Sequence, residues 1–291
     1  MFNTLTLTPH SNLITVIPSI DFGGAGPLLH FSHANGYPPQ AYAPFIETLT
    51  PRFHVYTMPF RPLWPDNELD GFRDWDTFVE DIIRFFDERG ETNVIGVGHS
   101  LGAVVTLAAA LRRPELFRVL VLIDPVLFRR RMLWGMAAAR RLGVLRRLHP
   151  LIGPALRRRR VFADAEEMFN RYRRAPVFKR IDDHGLRVYV DSMVKPRPEG
   201  QVELAFTPEW EAKIYEAGPL NVWPTLKHLR PPLLVIRGAE SDTFFPQAAK
   251  KVRSILPNAL IHDIEGAGHL VPLEKPREVG TAILAFLESV K

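Results

Sequence analysis

A chain of 291 residues that is 46% hydrophobic and 24% charged has the composition of a globular protein and can bury a large core. It contains no cysteine, which excludes disulfides, thiolate metal sites and cysteine nucleophiles and fits a reducing compartment. The net charge of +5 is unevenly distributed, because residues 129–180 hold sixteen of the 37 basic residues and only three acidic ones.

The first twenty residues lack a basic segment followed by a long apolar core, so they do not resemble a secretory signal. No apolar stretch reaches the roughly 18 to 20 residues that a bilayer span needs. We therefore expect a soluble, cytoplasmic protein.

Short apolar or β-branched runs alternate with helical stretches along most of the chain. This alternation predicts a mostly parallel α/β sheet with helices on both faces. The predicted strands are 12–17, 28–32, 53–57, 93–97, 119–123, 233–237 and 259–264, and an edge strand at 4–7 makes the sheet eight-stranded. The predicted helices are 75–88, 101–112, 247–256 and 276–290.

The alternation fails only between residues 126 and 229, which carry helical patches but no comparable series of buried strands. We predict that 126–229 is an inserted helical cap, and that 1–125 and 230–291 together form the α/β core. Pro231 and Pro232 mark the return to the sheet, because paired prolines cannot continue a helix.

Ser100 is the candidate nucleophile. It lies in GHSLG, after an apolar strand and before an alanine-rich helix, with Gly98 and Gly102 two residues away on either side. Glycines there allow strand, strained turn and helix to approach closely. The helix N-terminus behind the serine favours developing negative charge.

A serine nucleophile needs a histidine to accept its proton and a carboxylate to orient that histidine. His269 is the candidate base, because it lies in a glycine-rich loop after the last predicted strand. Asp242, in the loop after strand 233–237, and Asp124, at the end of strand 119–123, are the candidate acids, with Glu240 a weaker third. Both aspartates lie at strand ends on the edge where α/β sheets bind ligands.

These motifs resemble the α/β-hydrolase superfamily. GHSLG, RGAESD and GAGHLVPLEKP follow the order nucleophile, acid, histidine that this family uses. The resemblance implies a helical cap at the position of the insertion and places the usual acid on Asp242, so we prefer Asp242 to Asp124. Relatives that cleave haloalkanes or epoxides carry aspartate where this chain has Ser100, so those chemistries are disfavoured.

The oxyanion hole needs two donors aimed at the developing oxyanion. One is expected to be the backbone N–H of Leu101. The loop 28–42 resembles the His-Gly-x-Pro loop of the superfamily, although Ala34 replaces the glycine. One alignment makes Asn35 the second donor, which we favour slightly, and the other makes it Tyr37.

Residues 129–160 hold eleven arginines and no acid. We favour a solvated helical surface whose apolar side packs on the core. The alternatives are contact with a membrane surface and attraction of anionic substrates such as acyl-CoA. No nucleic-acid recognition motif accompanies the charge, so we expect no nucleic-acid partner.

The substrate pocket is predicted to be lined by bulky residues of the cap and by the loop 28–42. Its candidate lining residues are His33, Trp134, Met136 and Phe162. Trp134, Met136 and Phe162 fit equally well as residues of the cap's own hydrophobic core.

Together these residues predict a serine hydrolase that acts on a small carboxylic ester or related acyl compound through an acyl-enzyme. The chemistry needs no metal and no organic cofactor. A hydrolase of carbon–carbon bonds in β-diketone-like compounds, a lactonase and a thioesterase use the same triad and are the alternatives. A ligand receptor that retains the hydrolase fold is the non-enzymatic alternative.

Overall fold

The structure, a computed structural model, describes residues 17–66 and 68–290. The predicted edge strand 4–7, and all of the predicted strand 12–17 except Ile17, lie outside these ranges. The described strands are β1 Ile20–Gly23, β2 Leu28–Ser32, β3 His54–Thr57, β4 Val94–His99, β5 Phe117–Ile123, β6 Val161–Phe162, β7 Val194–Pro196, β8 Val202–Leu204, β9 Leu233–Gly238 and β10 Leu260–Ile264.

Helices connect these strands. The described α-helices are α1 Ala43–Ile46, α2 Asp76–Arg89, α3 Leu101–Arg112, α4 Arg130–Arg141, α5 Leu145–Leu148, α6 Ile152–Leu156, α7 Ala165–Arg173, α8 Asp183–Met193, α9 Pro208–Ala217, α10 Pro246–Ile255, α11 Val271–Glu274 and α12 Pro276–Ser289.

The main sheet has seven strands within the described ranges, in the order β1-β3-β2-β4-β5-β9-β10. The edge strand β1 is antiparallel to β3, and the other neighbouring pairs are parallel. Strands β4 and β9 are buried along their whole length, as expected for parallel strands covered by helices. The predicted α/β fold is therefore confirmed, with seven described strands where we expected eight. Six of the seven were predicted, and β1 was not.

Helix α3 begins directly after β4 and packs at the centre of the molecule. Ten of its twelve residues are buried, which explains why its sequence is apolar nearly all round. Because β4 lies in the middle of the sheet, the turn between β4 and α3 is placed at the centre of the carboxyl edge.

The chain between β5 and β9 holds helices α4 to α9 and a small antiparallel sheet of order β6-β8-β7. The sequence predicted only helices here. The three strands have two or three residues each, which is too short for a period-two pattern to be read. The division into a core and a cap at 126–229 stays a prediction.

Candidate active site

Ser100 occupies a strained turn between β4 and α3. Its φ of 55° and ψ of −113° are unusual for a residue with a side chain. The two glycines make the turn possible, because a Cβ on Gly98 would overlap the backbone of Gly102 and a Cβ on Gly102 would overlap the carbonyl oxygens of Ser32 and His33. The start of α3 therefore packs directly on the chain that follows β2.

His269 connects the serine to an acid. Its Nε2 lies 2.9 Å from Ser100 Oγ, and its Nδ1 lies 2.8 Å from Asp124 Oδ1. Because Asp124 Oδ1 can only accept when ionised, Nδ1 carries the proton and Nε2 accepts from the serine hydroxyl. The imidazole is thus held in the tautomer that a general base needs.

The structure contradicts the choice of Asp242 as the acid. Asp242 is exposed, and its described hydrogen bond is from the neighbouring Thr243 hydroxyl. Asp124 is fully buried and reaches His269, because β5, whose end it follows, lies directly beside β4. The alternative acid is therefore the one that the geometry selects.

The Asp124 carboxylate is anchored by the last residue of β9 and by the loop that follows it. Gly238 N–H donates to Oδ2 at 3.0 Å, and Ser241 Oγ donates to Oδ1 at 2.6 Å. Ser241 directly precedes Asp242. The loop therefore contributes a hydroxyl that holds the Asp124 carboxylate, and it does not contribute the carboxylate that contacts His269. The sequence analysis missed this role for Ser241.

Tyr42 and His99 form a second buried connection that the sequence analysis missed. The backbone N–H of Ala34 donates to the Tyr42 hydroxyl at 3.3 Å, and this hydroxyl lies 2.8 Å from His99 Nδ1. His99 Nε2 lies 2.9 Å from the carbonyl oxygen of His269 and donates to it. Burial holds the pKa of His99 well below its usual value, so the ring stays neutral and keeps these roles. The connection joins the loop after β2 to the loop that carries the base.

The loop after β2 distinguishes the two candidate oxyanion donors. The backbone N–H of Tyr37 already donates to the carbonyl oxygen of Ala34 at 3.3 Å in a turn. Within the described chain, no hydrogen bond is made by the backbone N–H of Asn35 or of Leu101. The geometry therefore favours Leu101 and Asn35 over Tyr37 as the pair that stays available to a developing oxyanion.

The loop after β2, which carries Asn35, is held by hydrogen bonds to the chain between β5 and β9. Asn35 Nδ2 donates to the carbonyl oxygen of Glu211 at 3.1 Å, and the Tyr189 hydroxyl donates to the carbonyl oxygen of Gly36 at 3.3 Å. Arg158 joins both contacts, because it forms an ion pair with Glu211 and donates to Tyr189 Oη at 3.2 Å.

His33 is not a substrate-binding group in this arrangement. It is fully buried, and both of its ring nitrogens bind the backbone. Nδ1 lies 2.9 Å from the carbonyl oxygen of Ala34, and Nε2 accepts from Phe60 N–H at 2.9 Å. Burial lowers its pKa to about 4, so the ring is neutral.

The structure describes the surroundings of the three predicted pocket residues of the insertion. The Trp134 side chain is exposed, at 62% of its maximal accessibility. Met136 is half-buried against a small apolar cluster around Leu145 and Ile152. Phe162 is buried, with Tyr172 at 6.2 Å between ring centroids. That these residues line the substrate pocket stays a prediction.

Among residues 17–66 and 68–290, no group of three or more histidine and acidic residues could hold a metal ion. No helix in these same ranges has the length and apolar character to cross a bilayer.

The fold and the site define a class of protein. A strained serine, a histidine and a buried aspartate meet at the carboxyl edge of an open parallel sheet, which is the arrangement of α/β-hydrolases. The model of the alpha/beta hydrolase family matches residues 28–282. The chain therefore belongs to this family, and the resemblance predicted from the sequence is confirmed.

Individual relatives are distant. The chain is similar to the uncharacterized hydrolase YugF of Bacillus subtilis (strain 168), at 26% identity over 203 residues, or 66% of this chain. The alignment spans 64% of that relative, which is less than two thirds of its length. It is also similar to 2-(acetamidomethylene)succinate hydrolase of Mesorhizobium japonicum, at 22% identity over 91% of this chain and 90% of the relative.

A solved structure gives the same result for the fold. The crystal structure of E-2-(acetamidomethylene)succinate hydrolase superposes with a TM-score of 0.76 at 21% identity, over 93% of this chain and 94% of the other. At this identity the likeness shows the fold.

Proposed function

We propose that this α/β-hydrolase is a serine hydrolase that cleaves carboxylic esters or related acyl compounds through an acyl-enzyme. The observation that carries the proposal is a continuous series of hydrogen bonds. Ser100 Oγ lies 2.9 Å from His269 Nε2, and His269 Nδ1 lies 2.8 Å from Asp124 Oδ1. Such a series of hydrogen bonds makes a serine nucleophilic at neutral pH.

In the acylation step, Ser100 Oγ attacks the acyl carbon while His269 Nε2 takes the hydroxyl proton. The negative charge that develops on the carbonyl oxygen is stabilised by the N–H groups of Leu101 and Asn35. Asp124 stabilises the imidazolium, and His269 then protonates the leaving alcohol as the bond to it breaks.

In the deacylation step, His269 removes a proton from water, and the resulting nucleophile attacks the acyl-enzyme. The proton returns to Ser100 Oγ as the acid leaves, so the enzyme is regenerated. His269 suits both steps because its side chain is 24% exposed whereas that of Asp124 is fully buried. The base is thus open to substrate and water while the acid is shielded.

Hydrolysis of short p-nitrophenyl esters by wild type and by Ser100→Ala tests the proposal. Removing the nucleophile is expected to lower kcat by about 10³-fold or more, while the circular dichroism spectrum stays that of a folded protein. Unchanged turnover by folded Ser100→Ala would remove Ser100 from the mechanism.

The bond that is cleaved is determined with a matched panel of an ester, a lactone, a thioester and a β-diketone of equal chain length. The proposal expects the highest kcat/KM on the ester. Preference for the diketone, with two carbon fragments as products, would assign the same site to carbon–carbon cleavage. Tight binding without turnover of any compound would indicate that the protein is a ligand receptor with a hydrolase fold.

A further inference from the structure

The segment of residues 129–157, which contains α4, α5 and α6, presents an unusual number of apolar side chains to solvent. We call it the α4–α6 surface. Its exposed large apolar residues are Met132, Trp134, Leu142, Leu148, Leu151 and Leu156, and the exposure of Leu142 reaches 75%. These six make up most of the nine exposed large hydrophobic residues of the described chain. Such clustering marks an interaction surface.

Helix α4 itself is only weakly packed on the protein. None of its twelve residues is fully buried. Leu133 and Met136 are half-buried on its inner side, whereas Trp134, Ala138 and Leu142 recur every four residues on an exposed face. Residues four apart lie above one another on a helix. The expected packing of an apolar side is thus present at Leu133 and Met136, and α4 also carries apolar residues that face outward.

The same surface is strongly basic. Residues 129–157 contain eight arginines and no acidic residue. Among the described residues, Arg146 pairs with Glu216, and Arg140 donates to the carbonyl oxygen of Ala217. The remaining arginines have no carboxylate within ion-pair distance in the described chain: Arg129, Arg130, Arg131, Arg141, Arg147 and Arg157.

Trp134 is one of the exposed apolar residues of this surface and also contacts one of its arginines. The Arg130 guanidinium stacks over its ring at 5.3 Å from the centroid. Tryptophan and arginine are favoured where an apolar phase meets water, because each has an apolar body and a polar end.

We propose that the α4–α6 surface docks on the face of an anionic phospholipid membrane. A helix with arginines beside exposed tryptophan and leucine is the pattern that lies in a lipid interface. Arginines are attracted to an anionic surface, and the leucines enter the acyl boundary. Charge complementarity alone would also suit a nucleic acid, but a duplex offers no apolar phase for Leu142 and Leu148.

Tryptophan fluorescence provides a direct test, because Trp134 is the one exposed tryptophan of the five. The other four, Trp64, Trp75, Trp210 and Trp223, are at most 8% exposed. Vesicles of phosphatidylcholine mixed with phosphatidylglycerol are expected to shift the emission of wild type to the blue, whereas phosphatidylcholine alone is not. The Trp134→Phe variant is expected to sediment with the anionic vesicles but to show no shift.

The Leu142→Gln, Leu148→Gln double variant tests the apolar part, since both side chains are exposed and glutamine removes the apolar surface without adding charge. Its affinity for anionic vesicles is expected to fall at least about tenfold. The matched control is Leu260→Gln, which changes a leucine that is 51% exposed on the edge strand β10. This control is expected to bind like wild type, and both variants are expected to hydrolyse a short soluble ester normally.

The proposal is overturned if wild type does not bind anionic vesicles at low ionic strength, or if Leu260→Gln weakens binding as much as the double variant. It is also overturned if a DNA duplex binds as tightly as the vesicles and the leucine substitutions do not change that affinity. Those results would assign the surface to nonspecific attraction or to nucleic acid.

Discussion

Two neighbouring residues of the loop after β9, Ser241 and Asp242, have opposite environments. Ser241 is buried and donates to Asp124, while Asp242 is exposed. The carboxylate of Asp124 accepts from Ser241, from Gly238 N–H and from His269, so its position and that of the imidazole are determined together. The carboxylate that contacts His269 thus lies at the end of β5.

Exchanging each aspartate for asparagine separates the two candidate acids. Asp124→Asn is expected to lower kcat by about 10⁴-fold, because an amide nitrogen beside Nδ1 favours the wrong tautomer of His269. Asp242→Asn is the matched control and is expected to stay within about twofold, in line with a surface substitution. Steady-state hydrolysis of a p-nitrophenyl ester measures both. Loss of activity in Asp242→Asn with full activity in Asp124→Asn would reverse the assignment.

The residues of the site differ in how far a sequence can predict them. Ser100 and His269 were identified because a glycine-flanked turn and a glycine-rich loop mark them locally. Asp124 and Asp242 both follow predicted strands, and the choice depends on which strand is adjacent to β4, a long-range property that no local pattern carries. Tyr42 and Ser241 have no local signal either, since Tyr42 contacts His99 and Ser241 contacts Asp124, both far along the chain.

At the scale of elements, the loop after β2 is connected to the insertion through one ionic cluster. Arg158 pairs with Glu211 and donates to Tyr172 Oη at 2.9 Å and Tyr189 Oη at 3.2 Å. The arginine side chain is 20% exposed, so this pair is largely shielded from water. Glu211 and Tyr189 in turn bind the segment that carries Asn35.

Arg158→Met is therefore expected to disturb catalysis from a position outside the triad. Loss of the guanidinium leaves Glu211 without its partner, which costs about 3 kcal/mol of the free energy of unfolding. Looser placement of the Asn35 N–H is expected to lower kcat about tenfold or more, with a smaller change in KM. Urea unfolding and steady-state kinetics measure the two effects.

Arg159→Met is the control for this prediction. Arg159 forms an ion pair with Glu167 but is 45% exposed, so its loss is expected to change stability by less than about 1 kcal/mol and to leave kcat unchanged. Equal effects of the two substitutions on kcat would show that the cluster does not position the loop after β2.

The elements themselves were largely predictable. Strands from Leu28 onward appear within one or two residues of the predicted ranges, because buried parallel strands give continuous apolar runs. The short strands β6, β7 and β8 were missed for lack of length. Which apolar residues of α4 stay exposed was not predicted, since the sequence pattern does not show what each side of the helix contacts.

At the scale of the whole molecule, three neutral histidines are built into the centre of the fold. His30, His33 and His99 are fully buried, and burial lowers the pKa of His30 to about 3, that of His33 to about 4 and that of His99 well below its usual value. His30 and His33 accept from the N–H groups of Met58 and Phe60, so protonation would break these contacts.

Stability is therefore expected to fall as the pH drops below about 6.5, where the unfolded chain gains protons on these histidines and the folded chain does not. Each histidine contributes up to about 1.4 kcal/mol per pH unit in this range. Urea unfolding from about pH 7 to about pH 5 measures the slope. His30→Leu should reduce it, whereas His262→Gln, on the exposed part of β10, should not. An unfolding free energy that stays constant over this range would contradict the account.

The most direct measurement of the central claim is covalent labelling by an organophosphate ester, followed by mass spectrometry of the digested protein. The account predicts one phosphoryl group per chain, located on Ser100, with a rate that falls by about 10³-fold or more in Asp124→Asn and is unchanged in Asp242→Asn. A label on another residue, or a rate that does not depend on Asp124, would contradict it.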